Sequence, residues 1–197
     1  FLQRLTGHRL TAHSLWITSY ERVAHAYGFS LPDFLRQHTV FQYVTAYMPP
    51  VVRQRILQNL SEEGYVYVSM IRRSVIGEHY LKLCPSCMTE EIRQYGESYW
   101  HRAHQLSAVE VCLQHQVPLH WTTQKMARVT ALVPPHEAGG YLNTQGANSL
   151  PLQLKLALAT ASAKALWALD SQHNVVQTYR QRACALGYGY IGPRMHG

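Results

Sequence analysis

Apolar residues in the first third of the chain recur with a helical period. Phe34, Phe41, Val44 and Met48 follow one another at spacings of seven, three and four until Pro49 and Pro50 interrupt them. This predicts a helix with one buried face, begun at Ser30, Pro32 and Asp33. A second helix fits "VVRQRILQNL", with Val52, Ile56 and Leu60 on one side and Arg53 and Arg55 turned away. The run "YVYVSMI", residues 65–71, alternates Tyr and Val as a strand would, yet is short enough for a packed helix, and both readings stand. The stretch "LVPPHEAGGYLNTQGANSL" is rich in Pro, Gly and Asn and reads as a long loop or linker. Beyond it, "PLQLKLALATASAKALWALD" opens on Pro151 and is full of strong helix formers, while "NVVQTYRQRACALG" ends on Gly187, a helix stop. These two segments predict a helical hairpin. The fold class expected is mainly α, with a small module inserted between helical segments. Its regions are an N-terminal helical region (1–80), the inserted module (81–121), a loop or linker (122–150) and the C-terminal hairpin (151–197).

Composition narrows the class. The 197 residues are 47% hydrophobic and 11% aromatic, enough for a sizeable core. A formal charge of +7 favours a polyanionic partner, with nucleic acid the leading one. No apolar run approaches a membrane span, and "FLQRLTGHRL" lacks the charged start and long apolar stretch of a signal peptide, so a cytoplasmic protein is expected. A chain that opens on Phe1 reads as a fragment.

Cysteine changes the picture most. Three of the four cysteines crowd into "KLCPSCMTEEIRQYGESYWHRAHQLSAVEVCLQHQVPLHW", residues 82–121. Cys84-Pro-Ser-Cys87 has the two-residue gap that aims two thiolates at one ion, and Cys112-Leu-Gln-His115 repeats it with an imidazole last. Between the pairs lie 24 residues, room for a short helix and a return strand. Thr89, Glu90 and Glu91 suggest that helix's cap and first turn, and Gly96 its end. The spacing predicts a tetrahedral Cys3His site for one structural Zn2+ ion, and so makes the inserted module (81–121) a zinc-binding one of zinc-ribbon or zinc-finger type in a mainly α fold. A thioredoxin-type redox pair explains C-x-x-C but not the second pair, and "HYLKL" is a weak candidate for the buried strand such a motif follows. A catalytic zinc needs an open position, and the deaminase signature of H-x-E with P-C-x-x-C is absent. His101 and His104 fit packing or hydrogen bonding beside Trp100 better than ligation. Trp100 itself is expected between the zinc module and the helical body. Cys184, among small apolar neighbours, reads as a buried thiol. The adjacent pairs Glu62-Glu63 and Glu90-Glu91 fit solvated turns rather than acid–base chemistry. There is no phosphate-binding G-x-x-x-x-G-K-[ST] loop.

The segment "LCPSCMTEEIRQYGESYWHRAHQLSAVEVCLQHQVPL" resembles the TniQ/TnsD family of transposon target-selection proteins. That family has C-P-x-C, then Y-G-x-x-[YF]-W, then a tract ending H-Q-L, then C-x-x-H-x-x-x-L. "FLRQHTVFQYVTAYMPP" resembles the family's H-T-L-F-P-x-Y-A-P-F-x-P block, and "YRQRACALGY" its Y-R-x-x-L-x-x-x-G-[YF] segment. Gln42, Thr45, Ala46, Ser107 and Ala108 depart from the pattern; the four metal ligands do not. The resemblance implies a non-catalytic adaptor in DNA transposition. Its partners would be double-stranded target DNA, or an RNA-guided CRISPR effector complex, and the transposon's AAA+ ATPase, which brings the transposase. It also implies that further residues flank the chain at both ends.

Charge placement suggests where DNA would lie. Residues 1–83 carry nine Lys+Arg against five Asp+Glu, residues 84–120 two against four, and residues 121–197 seven against two. Phosphate contacts are therefore expected outside the zinc segment, from Arg72, Arg73, Lys125, Arg128, Lys155, Arg180 and Arg182. The alternative is a zinc-stabilised protein–protein adaptor without direct DNA contact. It would use the acidic zinc face and the aromatics Tyr95, Tyr99 and Trp100.

Overall fold

The computed structural model describes residues 20–46, 48–61, 80–125, 133–142, 150–167, 181–182 and 184–187. Helices dominate, joined to a small sheet. They are α1 (Tyr20–Ala26), α2 (Leu31–His38), α3 (Phe41–Thr45), α4 (Pro50–Ser61), α5 (Pro85–Tyr95) and α6 (Leu152–Trp167). The strands are β1 (Tyr80–Leu83), β2 (His120–Lys125) and β3 (Tyr141–Leu142), antiparallel in the order β1-β2-β3. Among the described residues, no helix is long and apolar enough to cross a membrane.

The helix expected from Ser30 to Met48 is two helices. Ser30 caps α2 by accepting from the Asp33 amide, as its sequence suggests. The break falls at Thr39, whose hydroxyl donates to the Leu35 carbonyl and accepts from the Phe41 amide. A β-branched residue bonding back four positions offers the backbone a turn in place of continued helix. The apolar pattern survives the break, because Phe34, Phe41 and Val44 all join one buried cluster. Helix α4 forms where predicted, with Ile56 buried and Val52 packed at the edge of that cluster, but Arg53 does not turn away: its Nη2 donates to Gln42 Oε1 and its guanidinium lies 5.7 Å from the centre of the Phe41 ring. The ambiguous residues 65–71 lie outside the described residues.

The weak strand signal in "HYLKL" is a strand: Lys82 pairs with Trp121 and Leu83 with His120, with an irregularity between Tyr80 and Lys82. The Pro/Gly-rich stretch is not all loop. β3 pairs Trp121 with Leu142 and Thr122 with Tyr141, and a 3-10 turn forms at Pro135–Glu137. Helix α6 packs on α3, α2 and the 3-10 turn Arg102–Gln105, burying the stripe Ala159, Ser162 and Leu166. Residues 168–180 of the expected hairpin lie outside the described residues. Its end is as predicted, with Gly187 at φ +83° and its amide donating to the Cys184 carbonyl. Cys184 is exposed, not buried: small apolar neighbours in sequence do not by themselves place a thiol in the core.

Cys84, Cys87 and Cys112 belong to the same buried cluster as Phe34, Phe41, Leu106, Ala159 and Leu166. The cysteine segment thus shares its core with the helices around it. Arg102 reinforces the junction. Its Nη1 donates to the carbonyls of Arg36 and Thr39 at the end of α2, and its guanidinium lies 4.5 Å over the Trp167 ring of α6.

Candidate metal centre

The first ligand pair is placed by a strand running directly into a helix. β1 ends at Leu83, Cys84 caps α5 in an extended conformation, and Pro85 occupies the first helical position. Helix α5 therefore begins four residues before the expected cap at Thr89. Thr89 instead donates its hydroxyl to the Pro85 carbonyl inside the helix. Cys87 lies one turn in, so both sulfurs face the same point. The helix ends at Gly96, in the left-handed region at φ +80° with its amide donating to Ile92, as predicted.

The second pair sits on a tight turn. The Gln116 amide donates to the Cys112 carbonyl at 2.8 Å, the Cys112 amide donates to the Val117 carbonyl at 2.9 Å, and Val111 bridges Pro118. Gln116 takes φ +56°, unusual for a residue with a side chain. That conformation folds the chain back and turns His115 toward the cysteines.

The four ligand atoms all lie within 4.8 Å of one another. His115 Nδ1 is 3.6 Å from Cys84 Sγ, 3.3 Å from Cys87 Sγ and 3.7 Å from Cys112 Sγ, and Cys87 Sγ is 3.7 Å from Cys112 Sγ. A tetrahedral ion with bonds of about 2.3 Å to sulfur and about 2.0–2.1 Å to nitrogen has ligand–ligand edges of about 3.8 and 3.5 Å. The residues fit such an ion. Charge points the same way. Burial, then the neighbouring thiols of Cys112 and Cys84, push the Cys87 thiol far above its ordinary range. A cation held among these sulfurs would offset that effect at Cys87.

Around the ligands, acidic residues do more than face solvent. Glu90 Oε1 accepts from His115 Nε2 at 3.0 Å, and its other oxygen accepts from the Gln114 amide at 3.2 Å. Glu91 is buried and accepts from the Tyr99 amide at 3.1 Å and from His101 Nε2. The reading of this pair as a solvated turn is corrected. Adjacent residues on a helix point about 100° apart, so one reaches the second knuckle and the other enters the body. Glu110 pairs with Lys155 at 3.0 Å. The acidic face expected of this segment is therefore largely consumed by internal bonds.

Several segment residues hold the knuckles in place. Gln105 acts as a strand partner for β1: its amide donates to the Lys82 carbonyl at 2.7 Å and its oxygen accepts from the Lys82 amide at 2.9 Å. Lys82 is buried, with Nζ donating to the carbonyls of Leu106 and Val109 at 2.7 and 2.6 Å. Ser98 bonds His136, and Trp100, half-buried against the core, donates Nε1 to the Val133 carbonyl at 2.8 Å. His101 stacks on Tyr99 and meets His104, whose buried Nδ1 finds no partner among the described residues. Burial, chiefly, lowers the His104 pKa to about 3 and keeps it neutral. Neither histidine joins the cluster of four donors. Glu90 had a signal in the sequence, since it stands three residues after Cys87 and shares its helical face. Lys82 and Gln105 had none.

Of the residues expected to meet phosphate, Arg72, Arg73, Arg128 and Arg180 lie outside the described residues, as does the Lys125 side chain. Lys155 is engaged by Glu110, and Arg182 is exposed. No curated protein matches the chain. The TniQ family model matches residues 1–119, a span that includes the four clustered residues and the block "FLRQHTVFQYVTAYMPP" upstream of them. The chain therefore belongs to the TniQ family, which is associated with target selection in DNA transposition.

Proposed function

We propose that the chain is a non-catalytic adaptor in DNA transposition. It joins double-stranded target DNA, or an RNA-guided CRISPR effector complex, to the transposon's AAA+ ATPase. The observation that carries this reading is the family match over residues 1–119, which spans the metal ligands. Three thiolates and one imidazole at tetrahedral spacing suit Zn2+ best, because soft sulfur donors select it over harder dications. Four protein donors complete a tetrahedron, so the ion's contribution is to structure. It ties α5 to the second knuckle and, through the shared core, to the helices.

Phosphate contacts are assigned to the basic regions outside the zinc segment, with Arg180 and Arg182 the pair to alter. The test uses the full-length protein in a DNA-binding titration across salt, beside capture of the ATPase. Replacing both by Glu should weaken DNA binding and flatten its salt dependence by about two charges, or ~1.8 in log–log slope, while ATPase capture stays intact. Loss of ATPase capture with unchanged DNA binding contradicts the assignment of faces. The protein-only adaptor has its own support, since Ile92, Tyr95 and Tyr99 are exposed side by side along and just beyond α5. It predicts partner capture insensitive to salt and no duplex binding.

A further inference from the structure

We infer that Glu90 is a positioning residue for the metal site, fixing which nitrogen of His115 faces the ion; the inference rests on the zinc reading above. His115 turns Nδ1 to the three sulfurs at 3.3–3.7 Å and places Nε2 3.0 Å from Glu90 Oε1. A neutral imidazole carries one N–H, so a ring whose Nδ1 lone pair is given to a metal must hold its proton on Nε2. That proton is donated to Glu90. Gln114, inside the C-x-x-H turn, donates to the second Glu90 oxygen at 3.2 Å and keeps the carboxylate from rotating away.

The sequence builds this brace economically. Cys87 and Glu90 are one turn apart on α5, so a single helical face presents a ligand and the group that orients another ligand from the opposite knuckle. Two effects compete. Three thiolates around a dication already leave the cluster with about one negative charge, and Glu90 adds another nearby. The Glu90 side chain is 47% exposed and its bond to His115 is exposed as well, so water screens both, but the repulsion acts through solvent over a longer reach while the bond is a direct contact of 3.0 Å. The directed bond prevails. It raises the basicity of Nδ1 and removes the freedom of the ring to turn away from the sulfurs.

The experiment compares the full chain with its Glu90→Ala, Glu90→Gln and Glu97→Ala variants. Zinc content is measured first, and zinc affinity then by competition with a chromophoric chelator. Glu90→Ala should lose roughly 10- to 100-fold in affinity. Glu90→Gln, whose amide oxygen still accepts from Nε2, should lose less. Glu97→Ala removes an equal charge from an exposed position on the same segment and should bind zinc as the parent does. If Glu90→Ala fails to fold, Glu90→Gln carries the comparison and should still bind more weakly than the parent. A parent chain holding one zinc whose Glu90 variants bind it equally tightly overturns this inference alone. Equal losses in Glu97→Ala also overturn it, reducing the effect to net charge. A parent chain without zinc overturns the zinc assignment itself.

Discussion

Lys82 is 2% exposed, an uncommon place for an ammonium group. It is tolerated because two carbonyls receive it and because the Trp121 ring lies 5.0 Å from Nζ, paired across the sheet. Burial lowers its pKa to about 8, with Glu110 opposing the shift. The unfolded chain holds this proton until about pH 10.4, so between those values the unfolded state binds more protons and stability rises with pH. The penalty is full below pH 8 and relieved above the unfolded value. Denaturant unfolding of the parent and Lys82→Met at pH 7 and 9.5 should therefore show the parent gaining relative to the variant, at no more than about 1.4 kcal/mol per pH unit. An unchanged difference would mean that Lys82 is not desolvated as described. The cluster of Cys84, Cys87, Cys112 and His115 was legible in the sequence because a two-residue gap is a local geometric requirement. Lys82 and Gln105 were not, because their partners stand 23 to 27 residues away in the chain, and Glu91 was not, because Tyr99 and His101 reach it only once the loop after α5 has folded back.

Helix ends carry much of the information that the sequence motifs encode. In the Y-G-x-x-Y-W segment, Gly96 caps α5 in the left-handed region, and a Cβ there would meet nothing within 4 Å. Gly96→Ala should accordingly cost only the backbone strain, about 1 kcal/mol, read as a lower melting temperature with zinc content unchanged. A larger loss accompanied by loss of metal would show that the cap also sets the ligand geometry. Trp100 closes the same segment by donating to Val133, so Trp100→Phe should cost about 1 kcal/mol for that bond, below the cost of truncation to Ala. In the H-Q-L tract, His104 fills core, Gln105 pairs with β1 and Leu106 offers its carbonyl to Lys82. Element type was legible wherever apolar period and helix formers agreed, as in α4 and α6. It was misplaced where a side chain competes with the backbone, as Thr39 does between α2 and α3. It was also misplaced at the start of α5, where Cys84 is both the cap and a member of the four-donor cluster.

At the scale of the molecule, the metal site, the sheet and the helices share one buried cluster, and Arg102 ties the end of α2 to Trp167 across it. A site so embedded should not be separable from the fold: its binding free energy is folding free energy. Chelation is thus expected to unfold more than the knuckles, and Cys84→Ser with Cys112→Ser should yield a chain that does not accumulate in folded form. Partners were not legible in this geometry. Charge along the chain suggested a DNA face, but charge in the fold is partly spent, with Lys155 given to Glu110 and Glu90 to His115. The central claim is a closed, structural zinc site, and X-ray absorption at the zinc edge of the purified full chain tests it most directly. The account predicts one zinc per chain with three sulfur scatterers at about 2.3 Å, one nitrogen at about 2.0–2.1 Å and no bound water. A chain without zinc, or a spectrum in which an oxygen replaces one of the sulfurs, would contradict it.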